Sequence, residues 1–240
     1  MDYTQESYRV RCEWGEGGVK ILAPMCDVIV IVDVLSFSTC VDVALSREAE
    51  VYPYAWKDER GRMYAEEIGG VLAEKRGTSH FSLSPFSLQT LPAKTKLVLP
   101  SPNGSTLTTI AAEQVDLVIT SCLRNAEAVG QMLSTHSGTI GVIPAGERWP
   151  DGSLRPALED WLGAGAVLAA LSGDLSPEAE VAANLFESTR SNLEETLLNC
   201  SSGRELVDRG FREDVQIAAE LNVSRNVPTL REGRYVRVEG

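Results

Sequence analysis

Four short stretches put side chains suited to anion and metal chemistry at the ends of apolar runs. Asp33 closes the run Val28–Val32 and is followed by Ser36, Ser38 and Thr39. Ser101-Pro102-Asn103-Gly104-Ser105 and Ser121–Asn125 follow two further apolar runs, and Ala145-Gly146-Glu147 follows a fourth. A fifth stretch opens a helical pattern with Glu159-Asp160. Adjacent carboxylates cannot share one helix face, so one of the pair can face a ligand while the other caps. A carboxylate at the end of a buried strand must be hydrated, paired or bound to a cation.

Asp33, Glu147, Glu159 and Asp160 are hard oxygen donors. The chain has two histidines and no paired cysteines, which argues against zinc or copper. Mg²⁺ suits a carboxylate cluster beside phosphate-binding turns. Free N–H groups at helix starts attract phosphate, and Ser38, Thr39, Asn103, Gly104 and Ser105 are the expected donors around it. Asp33, Glu159 and Asp160 are the expected catalytic groups, with Asp33 as general base.

Other phosphatase chemistries lack their residues. No cysteine is followed six positions later by Arg, neither His80 nor His136 sits in an Arg-His-Gly setting, and Leu35 stands where an Asp-x-Asp nucleophile would need its second acid. No Gly-Lys-Ser/Thr loop is present, and Gly15–Gly18 lack the strand–turn–helix setting of a dinucleotide fingerprint. Metal-assisted attack by water or a less familiar nucleophile is left, with a non-catalytic small-anion binder as the alternative.

The elements that must position these groups alternate. Strands are expected at Val28–Val32, Glu50–Tyr54, Lys96–Leu99, Asp116–Thr120 and Thr139–Ile143. Helices are expected at Phe37–Leu45, Asp58–Arg76, Gly104–Glu113 and Arg124–Leu133. This order predicts an α/β fold with a largely parallel sheet covered by helices. The carboxyl ends of its strands are the expected ligand edge. One domain over residues 1–240 is expected, with a helical C-terminal third and a terminal hairpin around Glu232-Gly233.

Composition narrows the partners. The 240 residues carry a net charge of −12, which disfavours nucleic acid. No stretch has the length and apolarity of a membrane span. The N-terminus lacks a signal-peptide layout, and five scattered cysteines read as reduced thiols, so cytoplasm is expected. A small anionic phosphorylated substrate and a homodimer are the expected partners.

An ordered set of motifs then carries a resemblance: VDVLSFSTC, Leu83-Ser84-Pro85, SPNGS, SCLRNAEAV, PAGE…GSLRPALEDWLGAGAV and GRELVDRGFREDVQIAAELNVSRNVP. From about Val28 to Pro228 the chain resembles the 2-phosphosulfolactate phosphatase (ComB-like) family. The resemblance implies an α/β/α fold, Mg²⁺-dependent hydrolysis of a phosphate monoester and a sulfolactate-type product on a route to coenzyme M. It places Asp33, Asn103, Gly104, Asn125, Gly146, Glu159, Asp160 and Gly165 on family motifs. It adds Asp214, which joins Asp33, Glu147, Glu159 and Asp160 as an expected metal ligand. Ser36 stands where the family usually has Arg, and Leu83 where Asn is expected. An arginine there would clamp an anion through its planar fork. Arg124, Arg148, Arg155 and Arg204 are the candidate replacements.

Overall fold

The computed structural model describes residues 3–55 and 59–238. Its first elements are β1 (Val10–Cys12), α1 (Gly15–Leu22), β2 (Val28–Val32), α2 (Phe37–Ser46), β3 (Glu50–Tyr54), α3 (Glu59–Glu67) and β4 (Val71–Leu72). Then come α4 (Pro85–Leu88), β5 (Lys96–Pro100), α5 (Gly104–Ala112), β6 (Leu117–Ser121), α6 (Ala126–Ser134), β7 (Ile140–Pro144), β8 (Glu147–Arg148) and β9 (Leu154–Arg155). The C-terminal third is α7 (Leu158–Ala169), α8 (Pro177–Thr189), α9 (Leu193–Asn199), α10 (Ser201–Asp208), α11 (Arg212–Ala219), β10 (Val227–Arg231) and β11 (Arg234–Val238).

The described residues form one nine-stranded sheet in the order β1-β7-β2-β6-β10-β11-β3-β5-β4, while β8 and β9 make a separate small hairpin. The β-branched run of β2 is buried along its whole length, as a strand covered on both faces requires. Its side chains alternate. Ile29 and Ile31 pack under α1 and α5 with Leu22, Leu107 and Ile143. Val28, Val30 and Val32 pack under α6 and α7 with Val129, Leu162 and Val167. A Cβ on Gly163 would lie 2.5 Å from Val34, so glycine lets α7 settle directly onto the end of β2.

β1, β7, β2 and β6 form one parallel block, and β3, β5 and β4 form another. The C-terminal hairpin β10–β11 lies between them and pairs antiparallel with β6 and β3. Its two-residue turn has positive φ at both Glu232 and Gly233, matching the right-handed twist of the flanking strands. Three antiparallel junctions separate the blocks, so the blocks run in opposite senses. Five strand-to-strand steps of about 20–25° each rotate β5 through about 100–125° relative to β2. That rotation brings the carboxyl ends of β2 and β5 together, as contacts at Asp33 show below.

The expected helix over Asp58–Arg76 is shorter. Asp58 lies outside the described residues, and α3 ends at Glu67. Gly69, with positive φ, and Gly70 end the helix, and β4 then pairs with β5. A side chain on Gly70 would strike the Lys96 carbonyl at 2.5 Å. Residues beyond β4, including Arg76, therefore run as loop toward the end of β2.

Candidate active site

Asp33 follows the last residue of β2 and is 5% exposed. One carboxylate oxygen accepts from the Phe37 N–H at the start of α2 (3.1 Å). The other accepts from the Gly104 N–H at the start of α5 (2.9 Å) and from the Ser101 hydroxyl (3.4 Å). One carboxylate thus caps two helices from the two opposed blocks. Gly104 is required here because a Cβ would lie 2.2 Å from the Phe37 ring.

Asp160, 3% exposed, does the same for the other side of the site. Its oxygens accept from the Val34 N–H (2.7 Å) and the Gly146 N–H (2.8 Å). It therefore ties α7 to the turns after β2 and β7. Gly146 holds φ at +69°, a conformation that suits glycine.

Glu147 and Glu159 are bonded more lightly. Glu147 accepts from the Asn103 amide (3.1 Å) and borders a 300 Å³ cavity with Asn103, Gly146 and Trp14. Glu159 is 2% exposed and accepts from the Cys200 thiol at 3.5 Å. Cys200 caps α10, and burial beside Glu159 pushes its pKa up to about 12, so the thiol keeps its proton and stays a donor.

The four carboxylates feel one another. Burial, with Glu159 nearby, raises the Asp33 pKa against the pull of its N–H donors. Burial, Asp33, Glu159 and Glu147 hold Asp160 well above the usual range. Burial, Asp33 and Glu159 push Glu147 up to about 7, while Asn103 and Arg155 pull it down. Among the described residues no guanidinium or ammonium forms a salt bridge with any of the four, although buried carboxylates elsewhere have one.

No three His, Cys, Asp or Glu side chains among the described residues form a ready-made metal cage. The donors do fit a hard cation bound as Mg²⁺ often is, by one or two carboxylates with water and phosphate completing its shell. Uncompensated buried carboxylates are the observation behind that fit.

Several expected site residues do other work. Asp214 is 1% exposed, but its oxygens take the Arg76 guanidinium (3.1 Å), the Ser84 hydroxyl (2.5 Å) and the Phe86 N–H (3.0 Å). It docks α11 onto α4, and the Arg76 guanidinium already offsets its charge, which argues against a metal-ligand role. Ser38 accepts from the Asp33 N–H and bonds the Thr120 hydroxyl. Thr39 donates to the Val34 carbonyl and Ser105 to the Leu99 carbonyl. Asn125 is spent on Cys122, Ser121 and Asn226. Short polar side chains at helix starts satisfy nearby backbone, which is why these four build turns rather than face a ligand. Ser36, Asn103 and Gly104 stay beside the acidic cluster.

Among the candidate arginines, Arg124 is bound to Asp42, the Ile217 carbonyl and Glu220. Arg148 pairs with Glu16 near the surface. Arg155 donates to Ser202. The guanidinium that reaches Ser36 is Arg76, 2.6 Å from its hydroxyl. Sequence reasoning missed Arg76 and Cys200. Arg76 falls at the end of the expected Asp58–Arg76 helix, which hides its role, and Cys200 carries no signal.

Fold and site together define an α/β enzyme whose helix N-termini and acidic side chains meet at strand carboxyl ends, a layout suited to small phosphorylated acids. The chain belongs to the 2-phosphosulpholactate phosphatase family, whose family model matches residues 21–233. It is 30% identical over 214 residues to the 2-phosphosulfolactate phosphatase of Methanothermobacter thermautotrophicus, covering 88% of this chain and 89% of the relative. It is 34% identical over 221 residues to a Carboxydothermus hydrogenoformans protein named "Probable 2-phosphosulfolactate phosphatase", covering 87% and 89%. A protein of the same name from Thermotoga petrophila is 29% identical over 89% of this chain and 93% of its own.

Proposed function

We propose that this chain is a Mg²⁺-dependent phosphatase that hydrolyses the phosphate monoester of a small acid of the 2-phosphosulfolactate kind. The observation that carries the reading is the cluster of buried Asp33, Glu159 and Asp160 with half-buried Glu147, without a salt bridge among the described residues, in a chain of this family. Asp33 and Glu159 would hold the metal. Bound there, it would offset the repulsion between carboxylates and phosphate and polarise the phosphorus–oxygen bond.

Asp160 acts as a staple. It fixes the Val34 and Gly146 backbone, next in sequence to Asp33 and Glu147. Asn103 orients Glu147, whose pKa of about 7 suits proton transfer near neutrality. Glu147, rather than the expected Asp33, is the general base in this scheme, because its pKa lies near 7 and it borders the cavity, which leaves Asp33 for the metal. Water adds to phosphorus and gives a proton to Glu147. The bond from phosphorus to the ester oxygen breaks, and that oxygen leaves as the hydroxyl of the hydroxy acid, taking up the proton that Glu147 held. Inorganic phosphate is the second product.

The reading extends to a cytoplasmic homodimer. Five free, buried cysteines support a reducing compartment, and sizing chromatography tests the dimer. No helix among the described residues is long and apolar enough to cross a membrane.

Phosphate release from a panel of small phosphorylated acids, with Mg²⁺ and with chelator, tests the activity. Metal-dependent release favours the scheme. Ligand binding without release from any substrate favours the non-catalytic binder.

A further inference from the structure

Beside the turn that carries Asp33 lies a second cavity, of 700 Å³. Its wall includes Arg62, Lys75, Arg76 and Arg209 against Glu59 and Glu74. Among its described wall residues, four cations and two anions leave it net positive by two charges, in a chain of net charge −12. One edge is Pro100, whose neighbour Ser101 donates to Asp33. Another is Arg76, whose Nη2 lies 2.6 Å from the Ser36 hydroxyl in the β2–α2 turn. The basic cavity and the acidic cluster therefore meet across residues 33–36.

Arg76 is held rigidly. Its Nε–H donates to Asp214, and its guanidinium carbon lies 5.8 Å from the centre of the Phe211 ring. Arg209 stacks on the same ring at 5.6 Å. A guanidinium has five N–H donors. The structure gives Arg76 two partners among the described residues, Asp214 and Ser36, which leaves three donors for a ligand.

A substrate with a phosphate and further acidic groups must divide its charges between these two regions. Carboxylate or sulfonate groups placed against four carboxylates would be repelled, whereas the basic cavity attracts them and offers a planar fork. We infer that Arg76, with the cavity it shares with Lys75 and Arg209, binds the non-reacting carboxylate or sulfonate of the substrate and selects for polyanionic phosphate esters. The guanidinium reaches Ser36 from another loop and puts positive charge beside the β2–α2 turn. This inference rests on the phosphatase reading above.

The test compares kcat/KM for 2-phosphosulfolactate with that for p-nitrophenyl phosphate, whose leaving group carries no acid. Truncating one partner of a hydrogen-bonded charge pair in a binding site is expected to cost on the order of 100-fold. Arg76→Ala should therefore lower the sulfolactate ester's kcat/KM by about that factor more than the aryl ester's. Loss of Arg76 also unpairs Asp214, so Lys75→Glu and Arg209→Glu serve as variants that spare that ion pair. Each should lower the ratio of the two kcat/KM values by about 5- to 20-fold, mostly through KM. Equal losses on both esters, or an unchanged ratio in all three variants, would overturn the inference while leaving the phosphatase reading intact. A wild-type enzyme that hydrolyses neither ester would remove both.

Discussion

Two clusters of buried carboxylate face opposite fates in this molecule. Asp42 is fully buried, yet Arg124 pairs with it at 2.8 Å, and Ser224 and Asn226 donate to the same side chain. Asp214 is likewise paired with Arg76. In the Asp33, Glu147, Glu159 and Asp160 cluster, backbone N–H groups, a hydroxyl, an amide and a thiol bond the oxygens, and among the described residues no salt bridge offsets the charge. Burying unpaired charge costs several kcal/mol per ion. Where a chain spends guanidinium groups, the carboxylate holds structure. Where it spends none, a cation from outside is the natural complement.

Exchanging the two kinds of carboxylate should separate activity from stability. Glu159→Gln removes a charge from the uncompensated cluster and is expected to lower kcat by more than about 100-fold, with a small change in melting temperature. Asp42→Asn should do the reverse. It leaves Arg124 without its buried partner, and the melting temperature should fall by on the order of 10 °C while the folded fraction keeps its specific activity. Matched steady-state assays and thermal melts on both variants check this. Similar melting losses in both would erase the distinction.

The pH dependence sharpens the same contrast. Glu147 titrates at about 7 when folded against an ordinary 4.5, and Asp33 and Asp160 are also raised. The folded state then binds more protons than the unfolded chain in that window, so stability falls as pH rises through it. In chelator the protein should melt at a lower temperature at pH 8 than at pH 5. Mg²⁺ should raise the melting temperature more at pH 8, where the carboxylates are charged. A Mg²⁺ effect that is larger at pH 5 would contradict the arrangement.

The smallest effect concerns the thiol beside Glu159. Cys200→Ala deletes a weak donor and should lower kcat by about 3- to 10-fold, and Cys200→Ser should restore most of it. A shift in the pH profile of Cys200→Ala toward lower activity at a given pH, reversed by serine, distinguishes positioning from packing.

Much of this architecture could be read from residue pattern alone. The buried run Val28–Val32, the alternation of strand and helix, and the Glu232-Gly233 turn all carry local signals. Asp33, Glu147, Glu159 and Asp160 could be grouped because carboxylates at strand ends and helix starts are costly unless used. What the pattern did not carry is non-local. The opposed sense of the two parallel blocks depends on β10–β11 inserting between β6 and β3. The direction of Ser38, Thr39, Ser105 and Asn125 depends on which backbone groups around them lack partners. The Arg76–Asp214 pair spans 138 residues of sequence, and no local rule predicts it.

The central claim is that the uncompensated carboxylates take a divalent cation needed for turnover. Calorimetric titration of Mg²⁺ into the wild type, Glu159→Gln and Asp42→Asn proteins tests it most directly. One site in the wild type, kept in Asp42→Asn and lost in Glu159→Gln, is the result expected. Binding that survives Glu159→Gln unchanged, or full phosphatase activity of the wild type in chelator, would contradict it.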